Sequence, residues 1–175
     1  MTAKEFILVA AKYLGFFHLA RRLTGSALRI LCYHGFAFRD EARFRPKLFM
    51  NRPTFEQRLA LLARHRFPVL PLDEALRRLA EGTLPRGATV ITVDDGFYSL
   101  HALAAAPLKT YGFPATAYVS TYYVEHQAPI YRLVVQYLFW SSRRATVTFS
   151  GRDWVVDGTL DLRDAAASTR MMRKT

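Results

Sequence analysis

Acidic residues are scarce in this chain: 14 Asp and Glu stand against 25 Lys and Arg, a net charge of +11 over 175 residues. Such a balance suits an anionic partner such as nucleic acid, glycan or lipid. The basic residues are spread over every segment, however, and no recognition-helix, zinc-finger or aromatic RNA-binding signature occurs. The charge therefore reads as a solvated basic surface, and no nucleic-acid partner is expected. Cysteine is almost absent. The single Cys32 excludes an internal disulfide and with it a stapled secreted scaffold; lying within an apolar run, it reads as buried packing. No uninterrupted apolar run approaches the about twenty residues of a spanning helix. The apolar stretch before Val9-Ala10-Ala11 is too short for a convincing signal peptide, and Glu5 stands where positive charge is required, so the cytoplasm is the default location. No repeats, low-complexity tracts or linkers occur. The histidines, His18, His34, His65, His101 and His126, include no pair three to five residues apart.

Residues Ala88 to Gly96 read ATVITVDDG, a β-branched apolar run that ends in two adjacent carboxylates and a glycine. A run this apolar predicts a strand buried on both faces, and the C-terminal ends of parallel strands are where α/β proteins place their chemistry. Side chains alternate along a strand, so Asp94 and Asp95 leave it in different directions and can hold different roles. Gly96 lets the chain turn and keeps both carboxylates at the rim, out of the core, where an unpaired charge is costly. The same letters also fit a hairpin turn. Against the hairpin, Phe97, Leu100, His101, Ala104, Leu108 and Tyr111 form a helical stripe that stops at Gly112, with Pro107 expected to kink it. Pro114 to Thr121, PATAYVST, then predicts a second strand and hence a βαβ unit.

Four stretches stand in order: LRILCYHG at Leu28 to Gly35, TFEQRLALLARHRFPVLPLDEALRRL at Thr54 to Leu79, ITVDDGF at Ile91 to Phe97 and GFPATAYVST at Gly112 to Thr121. In combination they resemble the polysaccharide deacetylase family, also called the NodB homology domain or fourth carbohydrate esterase family. That family usually has Phe where Val93 stands. The resemblance implies an α/β fold, the N-terminal half of a distorted (β/α) barrel, preceded here by an amphipathic helix. It implies a metal-dependent hydrolase that removes acetyl groups from N-acetylated polysaccharide or glycan. Asp94 would be the general base and Asp95 a metal ligand, and a divalent ion, zinc first and otherwise cobalt or nickel, would be the cofactor. The chemistry is consistent: an amide needs an activated water and a polarised carbonyl, and a divalent metal provides both while a carboxylate takes the proton.

The family completes its metal site with an H-[ST]-x-x-H motif, which this sequence does not contain. One carboxylate is a poor zinc site, since such centres use three protein ligands and one open position. Later family motifs are also missing, and Arg152-Asp153-Trp154 has only a superficial likeness to one of them. A complete barrel takes about 250 residues. The reading is therefore a fragment or truncation, with residues 1–25 as the amphipathic helix and 26–175 as a partial domain. It is expected to be inactive as it stands and to expose strand edges and apolar surface. A reading from another class is a non-catalytic glycan-binding or membrane-surface module that retains half of the fold.

Within residues 1–25, Lys4, Glu5, Lys12 and Arg22 share one face of the predicted helix, leaving a broad apolar side to pack on the fold or, as the alternative, to contact a membrane surface. A strand from Leu28 to Tyr33 ends at His34, which the resemblance puts near the Asp94 rim as a substrate-contacting or second-layer group, or else in a structural hydrogen bond. Phe36 to Pro53 reads as a surface loop. Thr54 and Gln57 predict a capping box for a helix with the stripe Phe55, Leu59 and Leu62. Val69 to Leu72 reads as a short strand, and Asp73 as the cap of a helix from Glu74 to Glu81 that Gly82 ends. Beyond Thr121, Ile130 to Trp140 reads as a helix, and Thr146 to Phe149 with Trp154 to Val156 as a hairpin. Asp161 reads as the cap of a basic helix ending in Arg170, Arg173 and Lys174.

Overall fold

The computed structural model describes residues 3–142, 144–149 and 158–161. The chain forms two compact units, Met1–Val119 and Ser120–Thr175, where the sequence shows no linker.

The first unit opens with two helices, α1 (Ala3–Tyr13) and α2 (Phe16–Leu23), in place of the single helix expected over residues 1–25. Gly15 breaks them apart in a left-handed conformation (φ 75°), and its carbonyl accepts the first backbone bonds of α2 from His18 and Leu19. Neither helix buries a residue; Phe6 and Tyr13 are 66% and 82% exposed. The expected packing of this apolar side on the fold is thus not found among the described residues.

Strand β1 (Arg29–Tyr33) follows. The stretch expected to be a loop from Phe36 to Pro53 instead forms β2 (Gly35–Ala37), the single turn α3 (Glu41–Phe44) and β3 (Phe49–Asn51), with β2 and β3 parallel. Gly35 permits this pairing, because a Cβ there would run into the Phe49 ring. Helix α4 (Arg52–Arg64) starts earlier than the capping box predicts. Pro53 is tolerated in its first turn, where no intrahelical N–H bond is lost, and Thr54 and Gln57 therefore lie inside the helix. Its stripe is as expected: Phe55 and Leu59 are fully buried and Leu62 packs beside them. The strand expected at Val69–Leu72 is reduced to one parallel bridge, Val69 to Thr89, because Pro71 caps α5 (Leu72–Ala80) and Leu72 is already helical. Asp73 is accordingly in the first turn and not the cap.

Strand β4 (Thr89–Val93) is buried at all five positions, as a central parallel strand should be. A π-helical turn (Leu100–Ala104) leads into α6 (Ala105–Tyr111), and Gly112 ends it in the left-handed conformation. The wide turn explains how Pro107 is accommodated. Proline has no N–H for an α-helical bond one turn back, and the preceding π turn, with Ala105 N–H bonded to the Leu100 carbonyl, loosens the backbone there. The second strand of the βαβ unit, β5 (Thr116–Ala117), is shorter than the expected Pro114–Thr121. The sheet order is β1-β4-β5, all parallel, which removes the hairpin reading of Asp95-Gly96.

One face of this sheet carries the core. Tyr33, Phe36, Phe55, Leu59, Ile91, Val93, Ala104 and Leu108 cluster there, and Phe55 packs its ring 4.7 Å from Phe36 and 5.1 Å from Tyr33. Because β1 is an edge strand, its other face is open: Ile30 is 53% exposed, and Cys32, expected in the core, is exposed as well.

The second unit contains α7 (Thr121–Glu125), α8 (Tyr131–Ser141) and the antiparallel pair β6 (Thr146–Phe149) and β7 (Gly158–Asp161). The helix expected at Ile130–Trp140 is present. The returning strand is Gly158–Asp161, so Asp161 ends a strand, and the helix expected after it lies outside the described residues. Arg152, Trp154–Val156 and the basic segment through Arg170, Arg173 and Lys174 lie outside the described residues.

Candidate active site

Buried β4 delivers Asp94 to the C-terminal rim of the sheet, where its N–H still continues the ladder by donating to the Tyr33 carbonyl at 2.9 Å. The chain then turns through two consecutive left-handed residues, Asp95 (φ 68°) and Gly96 (φ 65°). Glycine is required at the second for another reason too: a Cβ on Gly96 would sit 2.9 Å from Cγ1 and 3.3 Å from Cα of Val119. Asp is one of the few residues that adopt such a backbone with modest strain. Asp94 is half-buried and Asp95 exposed, so the two carboxylates do occupy different environments. The turn is anchored by Ser99, whose buried hydroxyl accepts a 2.9 Å hydrogen bond from the Phe36 N–H.

His34, directly after β1, reaches the same rim. Its Nε2 lies 4.0 Å from Oδ2 of Asp94, close enough to share a ligand and too far for a direct hydrogen bond. Cys32, two residues earlier, comes to the same carboxylate: its Sγ donates to Asp94 Oδ2 at 3.2 Å. The thiol's pKa is raised, first by desolvation, then by the hydrogen bond to Asp94 and by the negative charges of Asp94 and Asp95, with a hydrogen bond to Thr92 acting the other way. The rim also carries exposed aromatic surface, with Tyr98 and Phe38 stacked at 6.3 Å between centroids.

The donor atoms of Cys32, His34 and Asp94 lie within 4.8 Å of one another, and this group could hold a metal ion. Thiolate, imidazole and carboxylate are all zinc ligands, and three of them are the number a catalytic centre uses. Asp95, the ligand implied by the resemblance, is not in this group. The structure thus brings two of the anticipated residues together, Asp94 and His34, and adds Cys32, which the sequence reading assigned to packing. Its signal was the Cys-x-His spacing, since residues two apart on a strand share a face.

No protein-family model matches the chain, and no curated protein matches it in sequence. Solved structures do. The Streptococcus pyogenes deacetylase PplD, determined in complex with acetate, is 27% identical with a TM-score of 0.52, over 58% of this chain and 46% of its own. The chain resembles a deacetylase. IcaB from Ammonifex degensii gives 29% identity and a TM-score of 0.46 over 53% of this chain and 37% of its own. A de-N-acetylase from Aggregatibacter actinomycetemcomitans gives 16% and 0.45 over 84% and 50%. The chain therefore spans about half the length, or less, of these proteins.

Proposed function

We propose that this chain carries part of a polysaccharide deacetylase site, for metal-dependent hydrolysis of acetamido groups on N-acetylated carbohydrate. The observation that carries the reading is the Asp94-Asp95 pair at the C-terminal end of a fully buried parallel strand, within a fold similar to a deacetylase. A bound divalent ion, zinc or otherwise cobalt or nickel, would polarise the amide carbonyl and acidify a water. Asp94 would take a proton from water at its carboxylate, and Asp95 would be a ligand holding the metal. His34 would contact the substrate or stand in the second layer of the site. Tyr98 and Phe38 offer flat apolar surface beside the turn, of the kind against which a sugar ring packs.

A second reading of the roles rests on the grouping of donors. With Cys32 and His34 beside it, Asp94 would itself be a ligand, leaving exposed Asp95 to act as the base. Zinc titration of a longer form that carries the histidine pair separates the two. Asp95→Ala abolishes zinc binding in the first reading while Asp94→Asn retains it; in the second, Asp94→Asn and Cys32→Ser both weaken binding and Asp95→Ala does not. In any longer form that carries the missing histidine pair, the general base variant loses acetate release by roughly 100-fold or more. Full acetate release by both Asp variants would overturn the assignment of this chemistry to the Asp94-Asp95 pair.

A further inference from the structure

At the opposite end of the sheet from Asp94, arginines converge on a cavity of about 300 Å³. Arg29 opens β1 and Gly87 lies just before β4, so a five-residue strand separates this cavity from the Asp94 rim, about 16 Å at the usual rise. Arg21, Arg22, Arg29, Arg66 and Arg86 line it with His18, and no carboxylate does. None of these five arginines forms an ion pair among the described residues.

The guanidinium groups of Arg21, Arg29 and Arg86 are held by a ring, backbone carbonyls and a hydroxyl instead of counter-charges. Arg21 and Arg29 lie over the Phe67 ring, 4.7 and 5.9 Å from its centroid. Arg86 Nη2 donates to the Arg22 carbonyl at 3.0 Å, and Arg29 Nη2 donates to the Thr24 carbonyl and hydroxyl at 3.0 and 3.1 Å. The loops are stitched by a 2.8 Å bond from Gly87 N–H to the Gly25 carbonyl. Gly25 is buried, and a Cβ there would run into the Arg86 guanidinium. One donor is left over: Nη1 of Arg29 is buried without an acceptor. Converging cations repel one another, and a single oxyanion in the cavity relieves that repulsion.

We propose that this cavity binds a phosphate group, with Arg29, Arg66 and Arg86 as its principal partners. Phosphate fits better than a carboxylate because it offers three acceptor oxygens and nearly two negative charges to guanidiniums arriving from different elements. The cavity lies at the small end of the range for small-molecule sites, large enough for a phosphate with a substituent attached. The phosphate could be borne by a soluble molecule or by a lipid headgroup. The site stands independently of the deacetylase reading, since none of its residues belongs to the Asp94 rim.

Calorimetric titration of the chain with inorganic pyrophosphate, and sedimentation with phosphatidylcholine vesicles with and without phosphatidic acid, test the site and distinguish its sources. Pyrophosphate binding assigns a soluble phosphate; binding only to the vesicles containing phosphatidic acid assigns a lipid headgroup. In either case Arg29→Gln and Arg86→Gln each weaken binding about tenfold. Arg66→Gln is included because its guanidinium makes no hydrogen bond among the described residues, so its loss of binding cannot come from a lost structural bond; it weakens binding similarly. Lys109→Gln, the same charge change at an exposed position of α6, leaves binding unchanged. Absence of binding in both arms, or equal weakening by Lys109→Gln, overturns the proposal.

Discussion

The Cys32 thiol donates its hydrogen to Asp94, 3.2 Å away, linking the open face of the edge strand to the carboxylate at the rim. Desolvation, that bond and the nearby negative charges raise the thiol's pKa, so less thiolate is present at a given pH. Near pH 8, close to an ordinary thiol's pKa of about 8.5, Cys32 should react with iodoacetamide more slowly than the same residue in the urea-unfolded chain, despite its exposure. Asp94→Asn removes a negative charge and should speed the reaction. Equal rates in the folded and unfolded chains would show that the thiol does not engage the carboxylate.

The left-handed pair Asp95-Gly96 makes opposite demands on its two residues. Gly96→Ala combines a positive φ with a contact 3.3 Å from the Val119 backbone, and should lower stability by about 1–3 kcal/mol in urea unfolding. Asp95→Gly relieves backbone strain at φ 68° and should keep or slightly raise stability while removing the carboxylate. A Gly96→Ala chain as stable as the parent would mean that the turn rearranges freely.

Ser99→Ala leaves the buried Phe36 N–H without its acceptor. A loss of about 1–3 kcal/mol is expected, the scale for an unsatisfied buried donor. Urea unfolding of this variant beside Ser141→Ala, an exposed serine on α8, isolates the effect.

Residues 1–175 alone should release no acetate from N-acetylglucosamine oligomers with zinc, cobalt or nickel, because the sequence lacks the H-[ST]-x-x-H pair. Exposed Ile30, Leu76 and Leu79 should also make the chain self-associate in light scattering. A monomer with metal-dependent acetate release would refute both expectations and give the ligand role to Cys32 and His34.

Strand β4 and the βαβ unit were legible because their signals are local: five consecutive apolar or β-branched residues, a helical stripe and a terminating glycine. The α4 stripe was legible for the same reason. Cys32 was not, because its exposure depends on β1 lying at the sheet edge, a matter of strand order that one segment cannot encode. The short β2–β3 pair joins residues separated by an arginine-rich stretch, and three-residue strands leave too little alternation to detect. At the candidate site, Asp94 and His34 were legible at the ends of two predicted strands. The arginine cavity was hidden, since its residues come from three separate stretches and looked like dispersed charge.

The π turn acts as a one-residue insertion in the helix that follows the carboxylates. Upstream of it stand Tyr98 and Ser99 at the rim; the core residue Ala104 closes it, and Leu108 packs into the core downstream. An added residue offsets the angular phase between the two parts, so the rim is not obliged to continue the periodicity of the core stripe. Rim and packing residues therefore occupy one continuous helix under separate geometric constraints, and the rim can be redesigned without re-registering the stripe beneath it.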